Sequence, residues 1–343
     1  MSDYPSPTKA EILLTRGCDL NCSYCAMRKY TAKTTDSLEW TKRDELTDKQ
    51  WGKVPAKLVE LGVPFAPIYG AEPLTRLPAL KNFITYATKV KLPVTVITSG
   101  TLLTDNIITD LMSCGLDSIT MSHDIIPADA TVEIKTKKAE ERLDYLLTRF
   151  DDVTVVVTIH KKNYKLLPEF VKRMDEKGVW VCMDLYHPDR GQPGCKCRGI
   201  DRTLVLDQKD ITDFGIVMDI VRTMKREGYK IHPPDEYFDM LSTPQNIERY
   251  ILNYGWKCRS GPWITLDANG DTMACDDFQP PEFKRRYPIL EYGETWTWTQ
   301  FVDDWRQQLK YCPGCFWSTH IASDIWWGKQ GWMDNQTHGR VKE

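Results

Sequence analysis

Thr15-Arg16-Gly17-Cys18-Asp19-Leu20-Asn21-Cys22-Ser23-Tyr24-Cys25 is the stretch around which the chain is organised. Its three cysteines stand at i, i+4 and i+7, directly after the apolar run Ile12-Leu13-Leu14. Three thiolates at this spacing can hold three corners of one compact iron–sulfur cluster and leave the fourth iron without a protein ligand. An open metal corner is a place for a cofactor or substrate, so the spacing points to catalysis. A zinc site, a disulfide group and coincidence are the alternative readings of the same spacing.

At 343 residues the chain is long enough to bury a sizeable core and to hold two domains. Its net charge of −3, with both signs mixed, gives no bulk attraction for nucleic acid or an anionic membrane. The short basic runs at residues 135–138 and 284–286 read as solvated faces. No twenty-residue apolar run is present, and residues 1–7 lack the form of a signal peptide, so a cytoplasmic location is expected. Eleven cysteines in a reducing compartment suit metal binding or redox chemistry better than a disulfide scaffold.

Outward from the cysteines, apolar runs alternate with amphipathic ones. Residues 11–14, 65–69, 94–97, 118–122, 153–159 and 179–185 predict strands, with helices over 51–61, 80–88, 106–114, 135–150 and 166–177. Six strands with helices between them imply an α/β fold with a parallel sheet and right-handed crossovers, curved into a partial (β/α)6 TIM-type barrel. Chemistry in such folds sits at strand C-terminal ends, where the cysteine loop lies. Residues 186–199 read as loop, 207–228 and 245–252 as helices. Beyond Tyr254 the composition turns rich in Trp, with four further cysteines. The expected division is a barrel over 1–199, a helical connector over 200–253 and a small hairpin-plus-helix cluster-binding domain over 254–343.

The spacing Cys18-x3-Cys22-x2-Cys25 after a first strand resembles the radical S-adenosylmethionine (SAM) superfamily. Gly70-Ala71-Glu72-Pro73 follows the second strand, where that family has a glycine-rich motif for the SAM amine; Ala71 stands where a second glycine is usual. Thr98-Ser99-Gly100-Thr101-Leu102 and Ser122-His123-Asp124 occupy the corresponding turns after the third and fourth strands. The resemblance implies a [4Fe-4S] cluster on Cys18, Cys22 and Cys25 with SAM at its open iron. It also implies SAM contacts from Tyr24, Gly70, Ala71, Glu72, Pro73, Thr98, Ser99, Ser122 and Asp124. Plain structural readings stand beside these: a loop aromatic for Tyr24, a helix-start carboxylate for Glu72 and strand-end caps for Ser122 and Asp124.

Cys258, Cys275 and Cys312-Pro313-Gly314-Cys315 form a second group around a hairpin expected at Asn269-Gly270. Four thiolates so arranged can close a structural zinc site. They also resemble the Twitch form of the SPASM auxiliary domain, which implies one further [4Fe-4S] cluster. Cys182, Cys195 and Cys197 are candidate hydrogen donors, although a small core residue or inert loop thiols are the plainer readings. Asp184, beside Tyr186 and His187 at the end of the sixth strand, is a candidate base. The terminal tryptophans read as packing, and Cys114 as a core residue within a helix.

The activity expected from this resemblance is reductive SAM cleavage and hydrogen abstraction from a small polar metabolite, giving oxidation or isomerisation/epimerisation. An external donor such as flavodoxin or ferredoxin would supply the electron. A ribosomal peptide maturase, a nucleotide-modifying enzyme and a zinc-binding interaction protein are the alternatives. Only about a dozen residues precede the first strand, so a built-in N-terminal peptide-recognition domain is not expected.

Overall fold

The structure is a computed structural model that describes residues 4, 6–25, 45–126, 130–189, 199, 201–251, 263–275, 277–278 and 285–327. Cys195, Cys197 and Cys258 lie outside these residues. The expected strands form as β1 (Ala10–Leu13), β2 (Ala66–Tyr69), β3 (Val94–Thr98), β4 (Ser118–His123), β5 (Asp152–Ile159) and β6 (Trp180–Leu185). They lie side by side in chain order, every neighbouring pair parallel. This is the α/β arrangement of a partial TIM-type barrel.

The sheet does not end at β1. β7 (Ile264–Leu266) pairs parallel to β1, with Ile12 opposite Leu266, and β8 (Thr272–Met273) returns antiparallel to β7. The hairpin at Asn269-Gly270 is therefore present, and the residues it joins continue the barrel's own sheet. Its turn is looser than two residues: Asp267 N donates to Asp271 O, and of this pair only Gly270 takes a positive φ, at 83°. A turn closed by one left-handed glycine is the three-residue hairpin type.

Helices α1 (Asp48–Trp51) and α2 (Val54–Glu60) replace the single helix expected over 51–61. Gly52 separates them, where an added Cβ would stand 2.9 Å from the Tyr86 ring. Tyr86 lies on α3 (Leu77–Lys89), which is followed by α4 (Asp105–Ser113), α5 (Ala130–Leu147) and α6 (Leu167–Glu176). α7 (Ile211–Arg226), α8 (Asp235–Ser242) and α9 (Pro244–Ile251) follow, and α10 (Trp298–Leu309) and α11 (Ser318–Trp327) complete the described chain.

Strand alternation sorts the side chains into two layers. Ile119 and Met121 on β4, Val153, Val155 and Val157 on β5, and Val181 and Met183 on β6 are buried in the hydrophobic core. α3 contributes Leu80, Phe83, Ile84 and Ala87 to the same core. The other face carries Ser118, Thr120 and Ser122, then Thr154 and Thr158, then Cys182 and Asp184, all lining one cavity. TIM-type barrels usually fill this space with bulky branched residues. Here small hydroxyl-bearing residues stand among fewer branched ones, such as Ile97 and Val156, and the space stays hollow.

The run at residues 135–138 is not wholly a solvated face: Lys135 is buried and salt-bridged to Asp124. At the hairpin, Arg16 Nη2 meets Asp267 Oδ2 at 2.5 Å, both side chains buried. Removing one partner of a buried ion pair strands the other charge and costs about 3–5 kcal/mol. Asp267→Leu is therefore expected to lower unfolding free energy by about that amount, measured by urea denaturation. A loss within about 0.5 kcal/mol would assign the pair no structural role.

Candidate active site

The cysteine loop is held at its base before the first thiol is reached. Thr15 Oγ1 and the Arg16 amide donate to Glu45, at 3.1 and 2.8 Å, and Arg76 donates to the same carboxylate at 2.6 Å. Glu72 N donates to Gly17 O at 3.0 Å, tying the loop to the end of β2. Further along, Asp19 accepts from Thr101 Oγ1 at 2.6 Å, which ties the loop to the turn after β3.

Cys18, Cys22 and Cys25 together line one end of a cavity of about 720 Å³. Leu20 N donates to Cys18 Sγ at 3.4 Å, and Cys25 N closes a turn onto Cys22 O at 3.2 Å. Three thiols lining one end of a common space can serve as ligands to separate irons of one cluster. Burial pushes the Cys18 thiol up to about 12.

Gly70 and Ala71 line the same end, with φ of 88° and 26°. A Cβ on Gly70 would stand 1.7 Å from Leu13 Cδ1, so glycine is required by both backbone and space. Ala71 also has positive φ, so its departure from glycine appears as backbone strain. Ser99 and Ser122 line the cavity as well. Glu72, Thr98 and Pro73 stand behind it. Glu72 accepts from Thr98 Oγ1 at 2.7 Å, from Ser99 N at 2.8 Å and Oγ at 2.6 Å, and from Leu74 N at 3.1 Å. Burial raises its carboxyl despite these donors. Its side chain is thus a strut between the turns after β2 and β3 and a cap on the 3-10 turn Pro73–Arg76.

Tyr24 lines the cavity and donates to Asp124 Oδ1 at 2.7 Å. Lys135 Nζ donates to Tyr24 Oη at 2.9 Å and pairs with Asp124. Burial opposes the Lys135 charge, but Tyr24 and Asp124 outweigh it and raise its pKa. Lys135 is the participant that sequence reading missed, because one lysine in a charged helix carries no mark of burial.

At the other end the cavity passes Cys182 and Asp184 to Lys9, Glu11, Ser118, Asp152 and His232. Burial pushes the Cys182 thiol up to about 12 and raises the Asp184 carboxyl. Residues 316–320 wall this region: Ser318 N donates to Asp184 Oδ1 and Phe316 N to His187 Nε2, both at 2.6 Å. The Trp317 ring stacks on His187 with centroids 4.4 Å apart. Of the C-terminal thiols, Cys315 is buried and Cys312 accepts from Gly314 N at 3.3 Å.

A curved parallel sheet with three thiols, a glycine turn and polar strand ends around one cavity is the arrangement of a radical SAM domain. Residues 12–174 match the sequence profile of the Radical SAM superfamily, so this part of the chain is a radical SAM domain, and members of that superfamily use a [4Fe-4S] cluster and SAM. It is 31% identical over 164 residues to a PqqA peptide cyclase of Streptomyces rochei, covering 46% of this chain and 42% of that protein. A second match, 33% over 111 residues, is to an AdoMet-dependent heme synthase of Methanosarcina barkeri, covering 32% of this chain and 29% of that one. The chain thus spans less than half the length of these relatives. Its fold is similar to that of Streptococcus suis SuiB bound to the precursor peptide SuiA, with TM-score 0.60 and 15% identity over 83% of this chain and 63% of that one.

Gly70→Ala is expected to weaken SAM binding at least about tenfold, because its Cβ would collide with Leu13 and displace the turn, while iron content is retained. Calorimetric titration of SAM into the reconstituted protein measures this, and unchanged affinity would remove Gly70 from the site. His160, immediately after β5, has its pKa lowered by burial from 6.5 to about 4. The fold therefore favours neutral His160. Its contribution is complete above pH 6.5 and is lost as pH falls toward 4. His160→Gln should narrow the gap between urea midpoints at pH 7 and pH 5; an equal gap in both proteins would assign the acid sensitivity elsewhere.

Proposed function

We propose that this chain generates a 5′-deoxyadenosyl radical and directs it at a residue of a peptide substrate inserted into the hollow barrel. The observation that carries this reading is the continuous cavity from the three thiols, past Ser122 and Thr120, to Asp184 and beyond. The six residues of β4 span roughly 20 Å at about 3.3 Å per residue. That length accommodates SAM at the thiol end and an extended substrate segment below it. The match to proteins named PqqA peptide cyclase supports a peptide over the small polar metabolite expected from sequence.

Cys18, Cys22 and Cys25 would hold the cluster, and Gly70, Ala71, Ser99 and Ser122 would surround SAM. When bound and reduced by an external flavodoxin- or ferredoxin-type donor, the cluster and SAM supply methionine and the hydrogen-abstracting radical. Tyr24, Asp124 and Lys135 brace the third cysteine against the end of β4. Asp184, with its raised pKa, would accept a proton from the substrate, and Cys182 lines the same cavity as a neutral thiol. Residues 316–320 exclude water from the side of the barrel. Cys258, Cys275, Cys312 and Cys315 would hold the auxiliary cluster, as the electron acceptor or a structural group.

Reduced, reconstituted protein is incubated with SAM and either a randomised peptide pool or a pool of free amino acids, sugars and nucleotides. Deoxyadenosine is expected to rise above its uncoupled rate with the peptides. A rise confined to the small molecules would refute the substrate class. Cys22→Ala should abolish SAM cleavage altogether, whereas Cys312→Ala should retain uncoupled cleavage and lose product. Equal deoxyadenosine from Cys22→Ala and the parent would remove the radical mechanism.

A further inference from the structure

His320 joins the C-terminal thiols to the cavity wall. Its Nδ1 lies 3.6 Å from Cys315 Sγ, and its Nε2 lies 3.7 Å from Glu11 Oε2 on β1. The ring is buried and stacks on Trp263 with centroids 4.4 Å apart and planes 23° apart. Trp263 immediately precedes β7, so the imidazole is fixed by the sheet and not only by its own helix. Glu11 in turn pairs with Lys9 at 2.5 Å. Burial works against charge on Glu11, yet Lys9 and His320 outweigh it and hold its carboxyl at about 2.

A second thiol follows the hairpin. Thr265 pairs with Met273, the last residue of β8, and Cys275 lies two residues beyond it. Trp317 Nε1 donates to Asp277 Oδ2 at 3.3 Å, which ties the segment just after Cys275 to the segment just after Cys315. A thiol beyond the hairpin and a Cys-x2-Cys pair tied together in this way suit thiolate ligation of a cluster. His320 also lines the cavity, where its neighbours include Ser318, Thr319 and Glu11.

We infer that His320 is a positioning residue for the auxiliary cluster, donating an N–H···S hydrogen bond to Cys315 and thereby setting the potential at which that cluster exchanges an electron with the cavity. This rests on the auxiliary cluster proposed above. A metal-bound thiolate has no hydrogen to give, so the ring nitrogen facing it is the donor. Reduction adds negative charge to the cluster and its sulfurs, and a donor to sulfur stabilises the reduced form more than the oxidised one. The hydrogen bond raises the potential, favouring electron acceptance from a substrate radical at the wall that His320 forms.

The test is a potentiometric titration of the reconstituted full chain, followed by EPR, with iron and sulfide counted first. His320→Phe keeps an aromatic ring against Trp263 and removes the donor. His320→Asn keeps an N–H donor without the ring. With two clusters bound, His320→Phe should lower the potential of the cluster whose spectrum SAM does not perturb. The expected change is about tenfold in the one-electron reduction equilibrium, or about 59 mV. The SAM-perturbed cluster should keep its potential, and His320→Asn should recover part of the shift.

Full cluster content with no shift in His320→Phe overturns this role while leaving the auxiliary cluster standing. An equal shift in both variants assigns the effect to packing and also overturns it. Loss of the second cluster from both variants would make His320 a ligand in place of a donor. Iron and sulfide for a single cluster in the parent overturns the auxiliary reading itself, and this inference with it.

Discussion

A parallel sheet of six strands that curves without closing leaves an open side, and this chain cannot use its hollow barrel until that side is covered. The lumen mixes apolar side chains such as Leu13, Ile97 and Val156 with hydroxyls, thiols and carboxyls, and its open side admits water until it is covered. A carbon-centred radical reacts with what reaches it, and exclusion of competing groups is a general requirement of such sites. Cover comes from the far end of the chain. β7 extends the sheet past β1, and residues 316–320 lie against the end of β6 through Asp184 and His187. His320 then faces Glu11 on β1, so one short segment touches both sides of the opening. The C-terminal residues thus complete the wall of the barrel as well as carrying thiols.

The same economy appears in the cysteine loop. A loop of three metal ligands gains little stability from packing before metal arrives, because its side chains must point at the metal. Here its base is fixed by groups outside it: Glu45 from the segment before α1, Glu72 from the end of β2 and Asp267 from the hairpin turn. Glu72 in particular acts through backbone and strut contacts. Its amide holds Gly17 while its carboxylate holds Ser99, so the loop and two strand-end turns move as one body. Preorganisation of this kind spends folding energy once, at the sheet, instead of at each binding event.

The strands and their order were legible because each is a short β-branched or apolar run bounded by turn residues, as in Val153 to Ile159, and because sequential parallel strands usually lie side by side. The thiol triad and the Gly70 turn were legible as motifs. What was not legible depends on partners distant in the chain. Nothing in Ile264-Thr265-Leu266 announces that it will pair with β1, since alternation gives a strand its faces but not its neighbour. Lys135 looked solvated because burial of a lysine is decided by Asp124 and Tyr24, which precede it by 11 and 111 residues. The break after Trp51 was legible in Pro55, which cannot donate to the preceding turn, whereas the need for glycine at 52 depends on the Tyr86 ring of another helix. Glu72 matched a motif, yet the residues that use its carboxylate, Thr98 and Ser99, sit on the next strand.

Hollowing the lumen has a thermodynamic consequence that explains how the apolar residues are distributed. Placing Ser and Thr beside only a few branched residues such as Ile97 and Val156 along β3, β4 and β5 forgoes burial on one face of the sheet, about 1.5–3 kcal/mol for each large side chain not placed there. Stability must then come from the opposite face, and the sequence places it there: Val96, Ile119, Met121, Val153, Val155 and Val157 are all essentially inaccessible. Polar groups left in the lumen need partners, and several have protein ones, as Thr154 has His232 and Asp184 has the Ser318 amide. Those partners make a defined polar surface in place of a solvated gap. The division between an apolar outer layer and a bonded inner one is therefore the condition under which the barrel can remain both folded and empty enough to admit a substrate.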